Sequence, residues 1–416
     1  MKKGKGFWLR TERLPQELCE LVIDHLDTDV ALHTATLVSH SWHPRASLHL
    51  LHTVSVNYAR RSDWWNASNK GSGRETWRSC TSFLELLRKS ARLQTYIHEV
   101  IVVSAWTCTR DVIVRVVREV PHLRALVLRG ECDSTVTEPG AAAIPFDGTL
   151  RLHLTHAAVL LHVLPTFSRL AHLRLRPLHD MGWFLPFDLT GSPHVRVDEL
   201  TLEGIDPQTV RVLEECLDAS AMRKLSLLGK QGADPGYLQG AVIMLDRALV
   251  KFKLSLTQLV VDTSYFSVAG QKLSALQHLV ALKSLTLILP AYVEDKKYDQ
   301  IEPFFSQKDI TKSITCLRFV STPATFHHIL DDPDFPLSDI LHYIDVSRSV
   351  KRVVWTLVTN TAHPAARVAL ISGTLRRLQL VFPEYLREDI AVAVETGWGS
   401  LRPNIVGFGE PDSLAH

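Results

Sequence analysis

The chain has 416 residues, of which 46% are hydrophobic and 22% are charged, a composition typical of globular proteins. The formal net charge is +2, so charge gives no reason to expect binding to nucleic acid or to an anionic membrane. The apolar runs are far shorter than the roughly 20 residues of a transmembrane helix, and the basic start lacks the apolar segment of a signal peptide. We therefore expect a cytoplasmic or nuclear protein that binds neither membranes nor nucleic acid.

The residue types that support catalysis or metal binding show no persuasive grouping. The six cysteines are scattered without CxxC pairs, which favours a reducing compartment and buried thiols. Histidine pairs such as His49 and His52 have no cysteine or carboxylate at a coordinating interval. Phosphate-binding loops and nucleophile motifs are also absent from the sequence. We expect no cofactor, no metal and no enzymatic activity.

Residues 14–42 contain the most specific local pattern. Pro15 suits the first turn of a helix, whose apolar stripe then follows at helical spacing: Leu18, Leu21, Val22 and Leu26. Asp27-Thr28-Asp29 ends this helix and caps a second one, which is lined by Val30, Ala31, Ala35 and Leu37. Ser39 caps a third helix, which carries Trp42, Ala46 and Leu50. Three helices in about 40 residues lie near the lower size limit for independent folding, so we expect this module to lean on a partner or on the next domain.

The opening Leu14-Pro15, the following Glu17-Leu18, the apolar stripe and the closing Val38-Ser39-x-x-Trp42 together resemble the F-box. The resemblance implies docking onto the Skp-type adaptor of a cullin–RING ubiquitin ligase. It implies these adaptor-facing candidates: Leu14, Pro15, Leu18, Val22, Leu37, Val38 and Trp42. The sequence leaves open which of them face the adaptor and which fill the module's own core.

From residue 51 onward, the pattern apolar-x-x-apolar-x-apolar recurs. A single match arises often by chance, so the spacing carries the prediction: nine of the eleven intervals between matches are 25 to 34 residues long. The matches begin at Leu51, Ile97, Leu123, Thr149, Leu170, Val197, Met222, Leu256, Leu282, Ile314, Leu341 and Leu375. Helix starts lie between most matches, for example at Asp206-Pro207 and Thr322-Pro323.

A short strand followed by a helix in each unit resembles a leucine-rich-repeat solenoid. We predict an α/β fold in which parallel strands line a concave face and helices cover the convex face. The repeats are degenerate, since Glu131, Leu178 and Ile205 replace the Asn or Cys that usually follows the strand. An F-box that leads directly into such repeats is similar to the F-box families of mushroom-forming fungi.

The predicted domain boundaries follow from these two patterns. A disordered basic leader spans residues 1–10, the helical module 11–50, the solenoid 51–410 and a tail 411–416. A polar Gly/Ser-rich loop is inserted at about 57–79. Its Trp64-Trp65 pair either packs back on the solenoid or contacts a partner.

In such a solenoid, the residues that alternate with the last two apolar positions point to the concave face. Several neighbouring rows are basic: Arg129, Arg151, His153, His172, Arg174 and Arg176. An acidic row with Glu199 and Glu203 follows. One hypothesis is that the basic rows bind an acidic or phosphorylated segment of a substrate. The alternative is that the glutamates balance the charge and the face is simply solvated.

The resemblance implies the substrate-recognition subunit of a Skp–cullin–F-box ubiquitin ligase, which binds a protein target through its repeats. Such a receptor acts by raising the effective concentration of the target near the activated ubiquitin. The alternative function is a protein-binding scaffold whose F-box-like segment is vestigial.

Overall fold

A computed structural model describes residues 15–26, 28–57, 76–77, 80–103, 110–129, 143–154, 158–177, 194–204, 207–229, 243, 246–263, 276, 278–289, 313–331, 340, 349–359, 364–381 and 391–398. The chain forms two compact units, Met1–Glu138 and Pro139–His416. No helix in the described ranges is both long and apolar enough to cross a bilayer.

The first unit begins with three helices: α1 (Gln16–Asp24), α2 (Asp29–Val38) and α3 (His43–Leu51). The predicted cap of α2 is present, because the Thr28 hydroxyl accepts a hydrogen bond from the Ala31 amide at 3.2 Å. Ser39 does not cap α3, whose N-cap residue is Trp42; its hydroxyl accepts from the Trp42 amide at 3.3 Å in the preceding turn. The helices enclose a small core of Ile23, Leu32, Ala35 and Ala46, with Leu26, Trp42 and Leu50 packed against it.

The rest of the first unit contains strands β1 (Thr53–Asn57), β2 (Thr76–Trp77), β3 (Glu99–Val103) and β4 (Ala125–Arg129). Between them lie helices α4 (Cys80–Lys89), α5 (Ala91–Tyr96) and α6 (Arg110–Glu119). The strands are parallel, in the order β4-β3-β1-β2. Thr76–Trp77 thus pairs with β1 inside the predicted loop, whose Trp64-Trp65 pair lies outside the described residues.

Nine strands lie in the described residues of the second unit: β5 (Ile144–Leu154), β6 (Phe167–Pro177), β7 (Arg196–Glu203), β8 (Lys224–Leu228), β9 (Gln258–Asp262), β10 (Ser284–Ile288), β11 (Cys316–Ser321), β12 (Arg352–Thr359) and β13 (Ala391–Trp398). Its described helices include α7 (Ala158–Val163), α8 (Pro207–Cys216), α9 (Pro323–Asp331) and α10 (Pro364–Val381). Each strand pairs in parallel with the next one in the chain. The α/β class and the parallel strands are therefore as predicted.

The recurring pattern locates most of the strands. The matches that begin from Leu51 to Ile314 coincide with β1 and with β3 to β11. Their apolar positions are almost all buried, as in Leu170, Leu173 and Leu175 of β6. Parallel neighbours on both sides allow each strand to bury residues that it could not bury alone.

Adjacent repeats also share one backbone arrangement at the strand entrances. The carbonyl oxygen of Arg223 accepts hydrogen bonds from the amides of Thr257 at 2.9 Å and Gln258 at 3.0 Å. The carbonyl of Thr257 accepts in the same way from Lys283 and Ser284. This pairing satisfies the polar backbone of the turns, so the repeats stack in fixed register.

The last two matches have different outcomes. Leu375 lies within helix α10, so that prediction is wrong, and the match at Leu341 falls outside the described residues. The same apolar spacing occurs at β12, where the buried Val350 precedes the strand and Val353 and Trp355 lie within it. Strand β13 was not predicted.

The sheet of the second unit has two distinct faces. Phe326 of α9 contacts Trp355 at 4.9 Å between ring centroids, which places this helix on the face that carries the repeat leucines. We call the opposite side the second face; its middle positions include Arg174, Thr201 and Ser226. From β8 onward the second face contains a buried apolar cluster, made of Leu228, Val260, Ile288, Val320 and Val358. Buried polar side chains such as Ser226, Asp262 and Thr286 lie on the same face.

Candidate functional site

The first candidate site is an apolar surface on the two opening helices. Leu18, Leu21 and Val22 of α1 share one helical face and are all exposed. The core of the module is instead filled from the other side of α1, by Cys19 and Ile23. Three of the four residues of the predicted stripe thus face solvent, and the fourth, Leu26, packs against the core of the module.

Helix α2 also carries exposed apolar residues. Val30, Leu37 and Val38 are spaced by seven and eight residues, so they lie along one side of the helix. Their exposed fractions are 77%, 85% and 58%, whereas Leu32 and Ala35 are buried. We call the six exposed residues of α1 and α2 the docking stripe: Leu18, Leu21, Val22, Val30, Leu37 and Val38.

The residues matched to the F-box pattern divide into two groups. Pro15, Leu18, Val22, Leu37 and Val38 are exposed and available to a partner. Trp42 is half-buried and packs on the core of the module, and Leu14 lies outside the described residues. Leu21 and Val30 belong to the docking stripe but were not among the site candidates. Their helical spacing from Leu18 and Leu37 was the available signal.

An ion-pair clamp fixes α1 against α3. The Arg45 guanidinium donates to both carboxylate oxygens of Asp24 at 2.6 Å, and His49 Nε2 lies 2.8 Å from Asp24 Oδ1. The hydrogen bonds from Arg45 and His49 hold the pKa of the Asp24 carboxyl well below its usual range. The clamp therefore orients the helix that carries half of the docking stripe.

The second candidate site is the charged part of the second face, on strands β5 to β8. Arg151 of β5 lies opposite Arg174 of β6, and His153 lies opposite Arg176. The predicted match that begins at Thr149 puts Leu152 at the repeat position of Leu173. In the structure Leu150 pairs with Leu173 and Leu152 with Leu175, so the predicted match lies two residues too late in β5. A one-residue bulge between Phe146 and Thr149 changes the apolar spacing of β5, because Phe146 pairs with Leu170 while Leu150 pairs with Leu173. The regular pattern therefore misses these positions. Arg129 is exposed at the end of β4 in the first unit, and Thr155 lies outside the described residues.

Glutamates of the next strand pair with the basic side chains. Glu203 accepts a hydrogen bond from Arg174, and Arg176 Nε lies 3.8 Å from Glu203 Oε2. Lys224 Nζ of β8 lies 3.2 Å from Glu199 Oε2. The side chain of Arg176 is 61% exposed, whereas those of Arg174 and Glu203 are each 15% exposed. Arg176 is thus the member of this group that reaches solvent most fully.

His172 lies at the centre of these strands and is held as a neutral side chain. Its Nε2 is 2.9 Å from the Thr201 hydroxyl, and its Nδ1 is 3.5 Å from the Thr149 hydroxyl. Desolvation lowers the pKa of His172 to about 4, since Glu199 opposes this shift less than burial and the nearby cations favour it. His172 therefore serves as a packed polar residue within the sheet and adds no charge to the basic rows at neutral pH.

Across the described ranges, no group of three or more His, Cys, Asp or Glu side chains is placed to hold a metal ion. Cys19, Cys80 and Cys216 are buried, and desolvation raises the pKa of the Cys80 thiol to about 11. No family model matches the chain, and no curated protein matches it.

Proposed function

We propose that the chain is the substrate-recognition subunit of a Skp–cullin–F-box ubiquitin ligase. In this proposal, helices α1 to α3 are an F-box that binds a Skp-type adaptor. The strand array is a degenerate leucine-rich-repeat solenoid that binds a protein target, and the complex acts in the cytoplasm or nucleus. The single observation that carries the proposal is the docking stripe, since four of its six exposed apolar residues are the candidates that the F-box pattern implies: Leu18, Val22, Leu37 and Val38.

The energetics support a docking role for these residues. Burying a large aliphatic side chain gains about 1.5 to 3 kcal/mol, so six exposed ones leave a substantial driving force unused in the isolated chain. Only part of this gain becomes affinity, because association costs translational and rotational freedom. Exposed apolar side chains that are neighbours on one helix, such as Leu18, Leu21 and Val22, mark interaction sites on proteins.

The proposal assigns no reaction to the chain itself. A receptor that holds a target beside a charged conjugating enzyme accelerates transfer through proximity alone. The alternative function is a binding scaffold with a vestigial F-box. It leaves the exposed side chains of Leu37 and Val38 without a role, whereas adaptor docking gives them one.

Binding to a purified Skp-type adaptor tests the proposal. We expect the intact chain to form a stable complex by size-exclusion chromatography and calorimetry. Leu37→Asp places a charge in the docking stripe and should weaken binding at least about a hundredfold, because the carboxylate would be desolvated at the interface.

A matched control is Leu254→Asp, which changes another exposed leucine in the second unit. This variant should bind the adaptor as tightly as the unchanged chain. If the unchanged chain does not bind any Skp-type adaptor, the ligase proposal fails and the scaffold alternative is favoured.

A further inference from the structure

We propose that the target-binding surface of the second unit is confined to strands β5 to β8 and takes a short anionic protein segment, with Arg176 as its principal contact. The inference rests on the proposed role of the strand array as the target-binding part. It adds the location of the surface and the chemistry of the target.

The location follows from where the second face is accessible. Arg176 and Glu203 stand at the carboxyl ends of β6 and β7, and Arg176 projects into solvent. One strand further along, Leu228 replaces the charged residues and is only 2% exposed. Ile288 and Val320 are buried at the matching positions of β10 and β11. A target can therefore reach the charged rows but not the buried apolar rows that follow them.

The charge follows from the register. Parallel pairing aligns Arg151 with Arg174 on strands about 4.8 Å apart, and Arg176 follows two residues later on the same face. The described charged side chains at these positions of β5 to β8 are four cations and two glutamates: Arg151, Arg174, Arg176, Lys224, Glu199 and Glu203.

Glu203 has a specific role in this arrangement. It contacts the guanidinium groups of both Arg174 and Arg176, so it holds them in place as an internal counter-ion. A carboxylate or phosphate of the target would approach Arg176 from its solvent side and compete with Glu203 for it. Removal of the Glu203 charge should therefore strengthen binding of the target.

A protein segment fits better than a nucleic acid. The adjacent arginines occupy two neighbouring strands, β5 and β6, which suits a few extended residues. A longer polyanion would continue past Arg176 and Arg174 onto Glu199, whose side chain is 44% exposed and acidic. The shared chemistry of the ligand is a short run of carboxylates or phosphates.

The test uses fluorescence anisotropy of labelled probes with the purified full-length chain. The probes are a short polyglutamate peptide, a phosphoserine peptide of equal length, a neutral Gly/Ser peptide and a single-stranded oligonucleotide. We expect salt-sensitive binding of one or both anionic peptides and no binding of the neutral peptide. The comparison of the two anionic peptides distinguishes carboxylate from phosphate as the preferred group.

Two variants make the outcome decisive. Arg176→Ala should weaken peptide binding at least about fivefold, whereas Arg211→Ala, which changes an exposed arginine of α8, should leave it unchanged. Glu203→Gln should strengthen binding about fivefold. The proposal is overturned if neither anionic peptide binds, if Arg176→Ala binds like the unchanged chain, if Glu203→Gln binds no tighter, or if the oligonucleotide binds most tightly. Adaptor binding of Arg176→Ala, measured separately, should be unaffected, so this failure is distinguishable from failure of the ligase proposal.

Discussion

The strand array buries its regularly spaced apolar residues, whereas the helical module exposes several of them. Leu173 of β6 is fully buried, because parallel neighbours flank it on both sides. Leu37 of α2 is 85% exposed, although a similar periodicity points to it. Apolar residues that are recognised by their spacing in the sequence therefore form two kinds of surface. In the strands they form the interior, and in the opening helices they form a surface that lacks its partner in the isolated chain.

The largest loss of stability is expected when a buried leucine of the strand array is truncated. Leu173→Ala removes a fully buried side chain and should lower the free energy of unfolding by about 3 to 4 kcal/mol, since the stacked strands collapse only partly into the cavity. Urea denaturation followed by circular dichroism measures this change. A loss below about 1 kcal/mol would show that the strand interior is loosely packed.

The core of the helical module should be less sensitive. Trp42 is half-buried against Ile23, Leu32 and Ala46, so Trp42→Ala should cost about 2 kcal/mol, less than truncation of a fully buried aromatic residue. The loss is measurable as reduced helical content and faster amide exchange in residues 16–51. If stability is unchanged while adaptor binding is lost, Trp42 belongs to the docking surface and not to the core.

The pH dependence of the strand array should depend on His172. Its pKa falls from an ordinary value near 6.5 to about 4 on folding, so between these values the unfolded chain binds a proton that the folded chain does not. Stability should therefore decrease as the pH falls, by about 1.6 kcal/mol between pH 6.5 and 5 for this residue alone. Comparison of the unfolding free energies of the unchanged chain and His172→Gln isolates the contribution of His172 to this pH dependence. Parallel pH profiles for the two proteins would contradict the account.

The smallest stability effect is expected on the docking stripe. Leu37→Ala removes a side chain that makes little contact in the isolated chain, so the free energy of unfolding should change by less than about 0.5 kcal/mol. Adaptor affinity should nevertheless fall about tenfold, because the same side chain would be buried in the complex. Chemical denaturation and calorimetry on one preparation give both values. A large stability loss would mean that Leu37 is packed within the module.

The sequence could predict most of the strands because their apolar spacing is tied to physical stacking. The failure at Leu375 has a physical reason, since Leu375 and Leu378 are also neighbours on a helix and Pro364 favours a helix start. Strand β13 was missed because its sequence, Ala391–Trp398, contains small residues in place of the repeat leucines.

The two candidate sites could be predicted only in part. The sequence identified the residues of the basic rows. It placed the match at Thr149 two residues too late, because spacing does not reveal the bulge in β5. Sharing of Glu203 by two arginines depends on side-chain geometry across strands, which sequence order does not encode. In the helices, spacing located the stripe, but only the packing of Cys19 and Ile23 shows which side faces outward.

Hydrogen–deuterium exchange of the full-length chain, with and without a purified Skp-type adaptor, tests the central claim most directly. The account predicts that the adaptor slows amide exchange in α1 and α2, residues 16–24 and 29–38, and leaves the strands of the second unit unchanged. Absence of protection in these helices, or protection confined to the strands, would contradict it.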